Sequence, residues 1–214
     1  MTQNLIFLKK PYIIGIAGGS GAGKTFFLKS LRQHFDENTL CIISQDNYYR
    51  PANEQILDDN GQINFDRPEG IDDAAFLEDV ALLSKNQTVS RQEYMFNQPG
   101  VVGQIIELKP APVVIVEGLF IFHFTKIRKI FDLKIFINSE HQIRLERRLI
   151  RDNKERGLTE EVIRYQWENH VIPAENEFLL PYRGEVDMNI DNNGENGEEI
   201  DKLVMLIQEK SRFE

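Results

Sequence analysis

The stretch GGSGAGKT, residues 18–25, is the feature of this sequence that most constrains how the chain can fold. It satisfies the pattern GxxxxGK[ST], follows the apolar run YIIGIA and precedes the helical pattern FFLKSLRQHF. Its glycines allow the backbone to turn N–H groups inward on an anion, and the following helix adds its positive N-terminal end. The alternative is a glycine-rich turn with a solvated lysine, but a strand before and a helix after favour a phosphate-binding loop.

Each part of this loop has an expected role in binding a nucleotide. Lys24 is expected to reach the β- and γ-phosphates, and the Thr25 hydroxyl to coordinate Mg²⁺. The predicted nucleotide-binding residues are Gly18, Gly19, Ser20, Gly21, Ala22, Gly23, Lys24 and Thr25.

Five short apolar runs recur along the chain with helical patterns between them. The runs are residues 12–17, 40–44, 113–116, 133–137 and 186–190. Most are continuous rather than alternating, as expected for strands that are covered on both faces. Helical patterns cover residues 24–35, 72–84, 141–155, 159–179 and 198–212. The sequence therefore predicts an α/β fold with a doubly wound, mostly parallel five-stranded sheet, forming a single domain over residues 1–214.

Residues 86–109 depart from this alternation of strands and helices. Here TVSRQEY and GQIIELK flank the segment MFNQPGVV, which places Pro99 and Gly100 in a connection between two strands. We expect a β-hairpin inserted into the domain.

Charge and composition narrow the classes of partner. The 214 residues carry a formal net charge of −9, which argues against general binding to nucleic acid or to an anionic membrane. The long apolar run VVIVEGLFIF is interrupted by Glu117, so no membrane span is expected. The lone Cys41 lies inside LCIIS and is expected to be a buried, inert thiol, which fits a reducing compartment. We expect a cytoplasmic protein that acts on a small molecule.

The rest of the sequence favours a small-molecule kinase over other nucleotide-binding proteins. A GTPase would be expected to show an NKxD motif, whereas NKER at residues 153–156 has Arg156 in place of the aspartate. Motor and remodelling ATPases usually have longer chains. A kinase that uses ATP and Mg²⁺ needs a metal site, positive charge around the transferred group and a base for the accepting hydroxyl.

Two carboxylates are candidates for the metal site and the base. Asp46, in SQDNYYR, follows the second strand at the edge of the sheet where ligands of open α/β folds bind. It is expected to accept the proton of the acceptor hydroxyl or to help hold the metal, the alternative being a loop or helix-capping aspartate. Glu117 ends an apolar strand, where a carboxylate is costly unless a cation compensates it. Thr25, Asp46 and Glu117 are the predicted metal residues, although Glu117 could also be an exposed residue at a strand end.

The stretch IRLERRLIRDNKERGL, residues 143–158, carries six basic and three acidic side chains. At about 100° per residue, its first four arginines share one helix face, and the fifth lies just beyond in a turn that ends at glycine. We expect residues 141–158 to form a helical lid that closes over ATP and brings guanidinium groups to the phosphates. The alternative is a solvated basic face relieved by neighbouring acids. The residues concerned are Arg144, Arg147, Arg148, Arg151 and Arg156, with the acids Glu146, Asp152 and Glu155.

Five segments together resemble a known family. GGSGAGKT, SQDNYY, NFDRPEGID, VEGLF and RRLIRDNKERG are similar, in order and spacing, to the motifs of the uridine kinase family, whose members are related to phosphoribulokinases. The resemblance extends from about residue 12 to residue 183. It implies transfer of the γ-phosphoryl group of ATP to the 5′-hydroxyl of a nucleoside, with uridine or cytidine favoured as in pyrimidine salvage, and it suggests a homo-oligomer.

The resemblance also implies roles for individual residues. Asp46 corresponds to the catalytic base, Lys24 to the phosphate-binding lysine and Glu117 to a metal-site acid. The residues implied on the nucleoside side are Asp66, Phe65, Tyr94, Arg148 and Gln166, and the lid arginines directed at phosphates are Arg151 and Arg156. The predicted catalytic set is therefore Asp46, Lys24, Arg151 and Arg156.

Two of these implied roles compete with ordinary structural ones. A carboxylate such as Asp66 can accept hydrogen bonds from both hydroxyls of a vicinal diol, but an aspartate before Arg67 and Pro68 is also common turn chemistry. Taken alone, a tyrosine such as Tyr94 is more often an aromatic residue packed in a strand than a residue that contacts substrate.

The sequence departs from the family pattern on the acceptor side. Met95, Pro99 and Val101 stand where the family has an acid, a histidine and an arginine, and Leu158 replaces an arginine of the lid. The segment IDNNG replaces a Pro-Arg-Gly that lies near the adenine in the family. Because lost hydrogen bonds can change which substrate is accepted, two further hypotheses stay open. One is a kinase for a non-nucleoside metabolite alcohol, and the other is a nucleotide-binding regulatory protein with weak catalysis.

Overall fold

The computed structural model describes residues 10–96, 100–194 and 197–212. The strands are β1 (Tyr12–Ala17), β2 (Leu40–Ser44), β3 (Ile56–Leu57), β4 (Ile63–Asn64), β5 (Val89–Gln92), β6 (Ile105–Leu108), β7 (Val113–Gly118), β8 (Leu133–Asn138) and β9 (Met188–Asp191). The helices are α1 (Lys24–Arg32), α2 (Asp73–Ser84), α3 (Thr125–Arg128), α4 (His141–Arg156), α5 (Glu160–Gln166), α6 (Ile172–Phe178) and α7 (Gly197–Ser211).

Five of the strands form one parallel sheet in the order β2-β7-β1-β8-β9. The central strands β7 and β1 consist mostly of buried apolar residues, many of them isoleucine or valine. In β1, Ile13 and Ala17 point to one face and pack with α2, whereas Ile14 and Ile16 point to the other and pack with α1 and α7. The prediction of a doubly wound α/β fold is confirmed, and the central sheet is wholly parallel.

Polar side chains cap the N-terminal ends of two helices, α2 and α5, and a glycine caps the C-terminal end of α4. The Asp72 carboxylate accepts the N–H of Ala75 at 3.1 Å at the start of α2, and the Thr159 hydroxyl accepts the N–H of Val162 at 3.4 Å at the start of α5. Helix α4 ends at Gly157, which has a φ of +66°. The long helix predicted for residues 159–179 is instead α5, a π-helical turn at Trp167–Val171, and α6.

The predicted hairpin is present as β5 and β6, which pair antiparallel with Val89 opposite Leu108. Pro99, predicted to lie in its connection, is outside the described residues. The small antiparallel pair β3–β4 and the short helix α3 were not predicted from the sequence. No helix in the described part of the chain is long and apolar enough to cross a membrane.

The parallel register brings the carboxyl ends of three strands to one edge of the sheet. Glu117 on β7 lies opposite Ser44 on β2 and Ile16 on β1. The strand order reverses beside β1, because β2 and β7 lie on one side of it and β8 and β9 on the other. Ligands of open α/β sheets bind at such a reversal, outside the carboxyl ends of the strands.

Candidate active site

A cavity of about 330 Å³ opens at this edge of the sheet. It is lined by part of the phosphate loop, by side chains of α4 and by aromatic residues of the loops that follow β2 and β4. The predicted site residues that line it are Gly19, Ser20, Gly21, Gly23, Lys24, Thr25, Asp46, Phe65, Asp66, Glu117, Arg148, Arg151, Arg156 and Gln166. Gly18 and Ala22 are buried within the loop, and Tyr94 lies one layer away from the cavity.

The phosphate loop takes a conformation that needs glycine. Gly21 and Gly23 have φ values of +76° and +90°, in the region that side chains with a Cβ rarely adopt. Gly23 immediately precedes α1, so the first N–H groups of this helix border the cavity. The Lys24 ammonium group donates to the carbonyl of Gly18 at 2.8 Å and so folds back along the loop.

Side chains from elsewhere bind three consecutive carbonyl groups of this loop. Arg144 Nε donates to the carbonyl of Ser20 at 3.0 Å, and Arg147 Nη1 to that of Gly21 at 3.4 Å. The amide of Asn192, after β9, donates to the carbonyl of Ala22 at 2.8 Å. Because these carbonyls are held by donors, the orientation of the loop's peptide groups is constrained.

This support changes the interpretation of the arginine-rich helix. Arg144 is buried, forms an ion pair with Glu175 and does not line the cavity. Arg147 lines the cavity, but its guanidinium also binds the backbone carbonyl of Gly21. The prediction that the whole arginine face opens toward phosphates is therefore wrong for Arg144, whose guanidinium supports the loop instead.

Arg148, Arg151 and Arg156 line the cavity and share one carboxylate, that of Asp152. The Asp152 side chain is 0% exposed and lies 3.1 Å from Arg148, 2.8 Å from Arg151 and 3.4 Å from Arg156. Three guanidinium groups repel one another, and a buried negative charge among them offsets that repulsion. Asp152 thus gathers the cavity-lining arginines on the last turns of α4.

Glu117 and Asp46 form the acidic part of the cavity. The Ser44 hydroxyl donates to Glu117 Oε1 and accepts the N–H of Asp46 at 3.2 Å, so it links the two strand ends. Burial, together with the negative charge of Asp46, raises the pKa of Glu117 to about 7, while Lys24 and the hydrogen bond from Ser44 oppose the shift. A carboxylate with this environment is one that a cation would stabilise in its ionised form.

The donor set at this point fits a magnesium ion. Thr25, Asp46 and Glu117 offer a hydroxyl and two carboxylates, and all three line the cavity beside the phosphate loop. Within the described residues no group of three or more His, Cys, Asp or Glu side chains forms a metal site. Mg²⁺ is usually held by one or two carboxylates together with phosphates and water, so a complete protein cage is not required.

The far end of the cavity combines aromatic rings with the buried carboxylate of Asp66. The rings of Tyr49 and Phe96 have centroids 5.1 Å apart, and Phe65 lies 5.8 Å from Tyr49 and 5.9 Å from Phe96. Burial raises the pKa of Asp66, and the positive charge of Arg148 works against this shift. Flat apolar walls beside a carboxylate suit a molecule with a planar part and hydroxyl groups.

Comparison with known proteins places the chain in a family. The model of the phosphoribulokinase/uridine kinase family matches residues 13–197. The chain belongs to that family. A uridine kinase from Anoxybacillus flavithermus is 32% identical over 200 residues, which cover 94% of this chain and 95% of that protein. A uridine kinase from Clostridium perfringens is 32% identical over 202 residues, covering 94% and 97% of the two chains.

Two solved structures of low identity share the fold of this family member. A possible uridine kinase from Bacillus stearothermophilus has a TM-score of 0.61 and 15% identity, covering 87% of this chain and 92% of its own. The D-glycerate 3-kinase from Cryptococcus neoformans has a TM-score of 0.58 and 18% identity, covering 83% and 82%. The family predicted from the motifs is therefore confirmed. Membership of the phosphoribulokinase/uridine kinase family makes the chain a phosphotransferase with a hydroxyl acceptor.

The departures from the motifs of this family can now be placed. Leu158 lines the cavity, so an apolar side chain stands where the family pattern has an arginine. Val101 is 52% exposed, and Met95 is half-buried near the end of β5. The Tyr94 ring packs on Tyr49 and Phe96, with centroids 5.7 Å and 4.7 Å away, and supports the aromatic wall from behind.

Several cavity or support residues were not predicted as site residues. Asp152 could have been found, since it lies four residues from both Arg148 and Arg156 on one helix. Phe96 could have been suspected from its place beside Tyr94 in the hairpin. The sequence gives no signal that Asn192 supports the phosphate loop, because Asn192 lies 170 positions from Ala22, whose carbonyl it binds. The others include Phe26, Ser44, Tyr49, Ile63, Leu119, His170 and Glu175.

Proposed function

We propose that this protein transfers the γ-phosphoryl group of ATP, in the presence of Mg²⁺, to the 5′-hydroxyl of uridine or cytidine, as a cytoplasmic enzyme. The observation that carries the proposal is that one cavity combines a phosphate loop, four arginines and two acids with an aromatic end that contains Asp66. Donor phosphates and a hydroxylated, planar acceptor can both be accommodated along its walls.

The donor end of the cavity, at the phosphate loop, would bind the phosphates of ATP. Backbone N–H groups of residues 18–25 and the ammonium group of Lys24 would bind the β- and γ-phosphates. Thr25, Asp46 and Glu117 would hold Mg²⁺, which when bound neutralises charge on the phosphates. We further propose that residues 141–158 close over the donor as a lid of this single domain, which brings Arg151 and Arg156 to the transferred group and excludes water.

The acceptor end would hold a nucleoside. Asp66 can accept both ribose hydroxyls, and such hydrogen bonds favour the ionised carboxylate that burial disfavours. Phe65 and Phe96 would flank the base, while Arg148 and Gln166, joined at 3.0 Å, would contact the same molecule. Asp46 is exposed to the cavity and would accept the proton of the 5′-hydroxyl as it attacks phosphorus.

ADP release with Mg·ATP tests the proposal against a panel of nucleosides, sugars and metabolite alcohols. Turnover of uridine or cytidine that is abolished in Asp46→Ala is the expected result. Turnover of a non-nucleoside alone would instead support the second candidate, which the apolar Leu158 in the cavity wall favours. ATP binding without turnover of any compound would favour a regulatory protein and contradict both kinase assignments.

A further inference from the structure

Three polar side chains, Asp58, Tyr165 and His170, form a cluster at the acceptor end of the cavity. His170 is 2% exposed and is one of the residues that line the cavity. Its Nε2 atom lies 2.7 Å from Asp58 Oδ2, which also accepts the Tyr165 hydroxyl at 2.6 Å. A buried histidine with this anchoring has a defined ring orientation.

The partners of Asp58 determine which nitrogen of His170 carries hydrogen. Asp58 Oδ1 accepts the N–H groups of Asn60 at 2.9 Å and Gln62 at 2.8 Å. The hydrogen bonds from Tyr165 and then His170 lower the pKa of Asp58, so this group is an ionised carboxylate that can only accept. His170 Nε2 therefore donates to it, and Nδ1 is the remaining polar atom of the ring.

The position of His170 along the chain relates it to the acceptor residues. It lies four residues after Gln166, within the π-helical turn Trp167–Val171 that joins α5 to α6. π-Helical turns are rare, and those that occur are often found at functional sites. Asp66 and Gln166 line the same cavity as His170.

We infer that His170 determines which acceptor is bound, because its Nδ1 atom accepts a hydrogen bond from a polar group of the acceptor, and that Asp58 and Tyr165 position the ring. The inference rests on the proposed phosphotransferase function of this cavity. His170 offers a polar contact that the hairpin does not, since Met95 and Val101 stand in the hairpin where the family pattern has charged residues. The group that His170 meets would be a hydroxyl or an N–H of the acceptor when the ring is neutral.

Two amide substitutions separate this role from a purely structural one. In His170→Gln the amide falls near the position of Nε2, so it can still bind Asp58 but leaves no polar atom at Nδ1. In His170→Asn the amide falls near Nδ1 and cannot reach Asp58. His123→Gln is the matched control, because His123 Nδ1 lies 3.3 Å from the Tyr182 hydroxyl and His123 does not line the cavity.

The assay measures kcat and KM for the best acceptor of the panel, and KM for ATP, in each variant and in the wild type. His170→Gln is expected to raise acceptor KM about tenfold, with ATP KM within about twofold and thermal stability close to that of the wild type. His170→Asn is expected to have lower thermal stability but an acceptor KM closer to the wild-type value. The control is expected to leave both KM values unchanged.

The opposite ranking would overturn the inference: near-normal acceptor KM in His170→Gln, with the loss confined to His170→Asn. An equal change in acceptor and ATP KM would also overturn it, because it would indicate general damage to the site. The proposed function fails separately, when the wild type itself phosphorylates no nucleoside. If the wild type acts on a non-nucleoside, the same variants test His170 with that acceptor. A wild type that neither binds nor phosphorylates any compound overturns both.

Discussion

Replacing Asp152 with asparagine keeps the shape of this buried side chain but removes the negative charge that faces three arginines. The carboxylate is 0% exposed, while the side chains of Arg148, Arg151 and Arg156 are 6%, 36% and 24% exposed. Removing one partner of a buried ion pair costs about 3–5 kcal/mol, because the other charge is left uncompensated. The penalty falls mainly on Arg148, since water can reach the other two. We expect about 2–4 kcal/mol of lost stability.

This loss is measurable by urea denaturation at neutral pH and by the midpoint of thermal unfolding. For a domain of this size, about 2–4 kcal/mol corresponds to a decrease in Tm of roughly 4–16 °C. Glu160→Gln is the matched control, because Glu160 pairs with Arg164 at 2.7 Å on a helix surface where both side chains are at least half exposed. Such a pair contributes less than about 1 kcal/mol.

The same substitution should weaken function beyond its effect on stability. Without Asp152 the arginines repel one another and lose their common anchor, so we expect ATP KM to rise and kcat to fall at a temperature where Asp152→Asn is still folded. An Asp152→Asn protein no less stable than Glu160→Gln would refute the reasoning, because it would mean that the three arginines do not depend on the buried charge.

Three further predictions concern other parts of the cavity. In protein without metal, a Glu117 pKa of about 7 means that the folded state binds a proton that the unfolded state releases, so stability should fall as pH rises from about 4.5 to 7. Glu117→Gln should remove about 1–3 kcal/mol of this dependence, as measured by urea unfolding in EDTA at pH 5 and pH 8. Asn192→Ala loses the bond to the Ala22 carbonyl and should raise ATP KM about threefold to tenfold, with acceptor KM unchanged in the same assay. Phe96→Ala removes a ring that lines the cavity and lies 4.7 Å from the Arg156 guanidinium, and should raise acceptor KM about tenfold in steady-state kinetics.

Local features of the sequence were enough to predict the architecture and the phosphate-loop end of the cavity. The phosphate loop depends on glycines, a lysine and a threonine that are adjacent in the chain, and each continuous apolar run formed a strand of the central sheet. Asp46 and Glu117 could be placed together because parallel strands end at one edge, where Ser44 lies opposite Glu117.

The aromatic end of the cavity, which contains Asp66, depended on contacts between residues far apart in the sequence. The β3–β4 pair has two residues in each strand, too few to show a period, and the π-helical turn at Trp167–Val171 leaves no mark on the helical pattern.

The arginines of α4 show the same difference between what the local sequence predicts and what tertiary contacts decide. Their helix face was evident from spacing, but Arg144 supports the phosphate loop and Arg148 lines the cavity because of what packs against each of them. His170 acquires a carboxylate partner 112 positions away. Periodicity reports which side of an element is buried, whereas the partner of a buried polar group is set by how separate elements pack together.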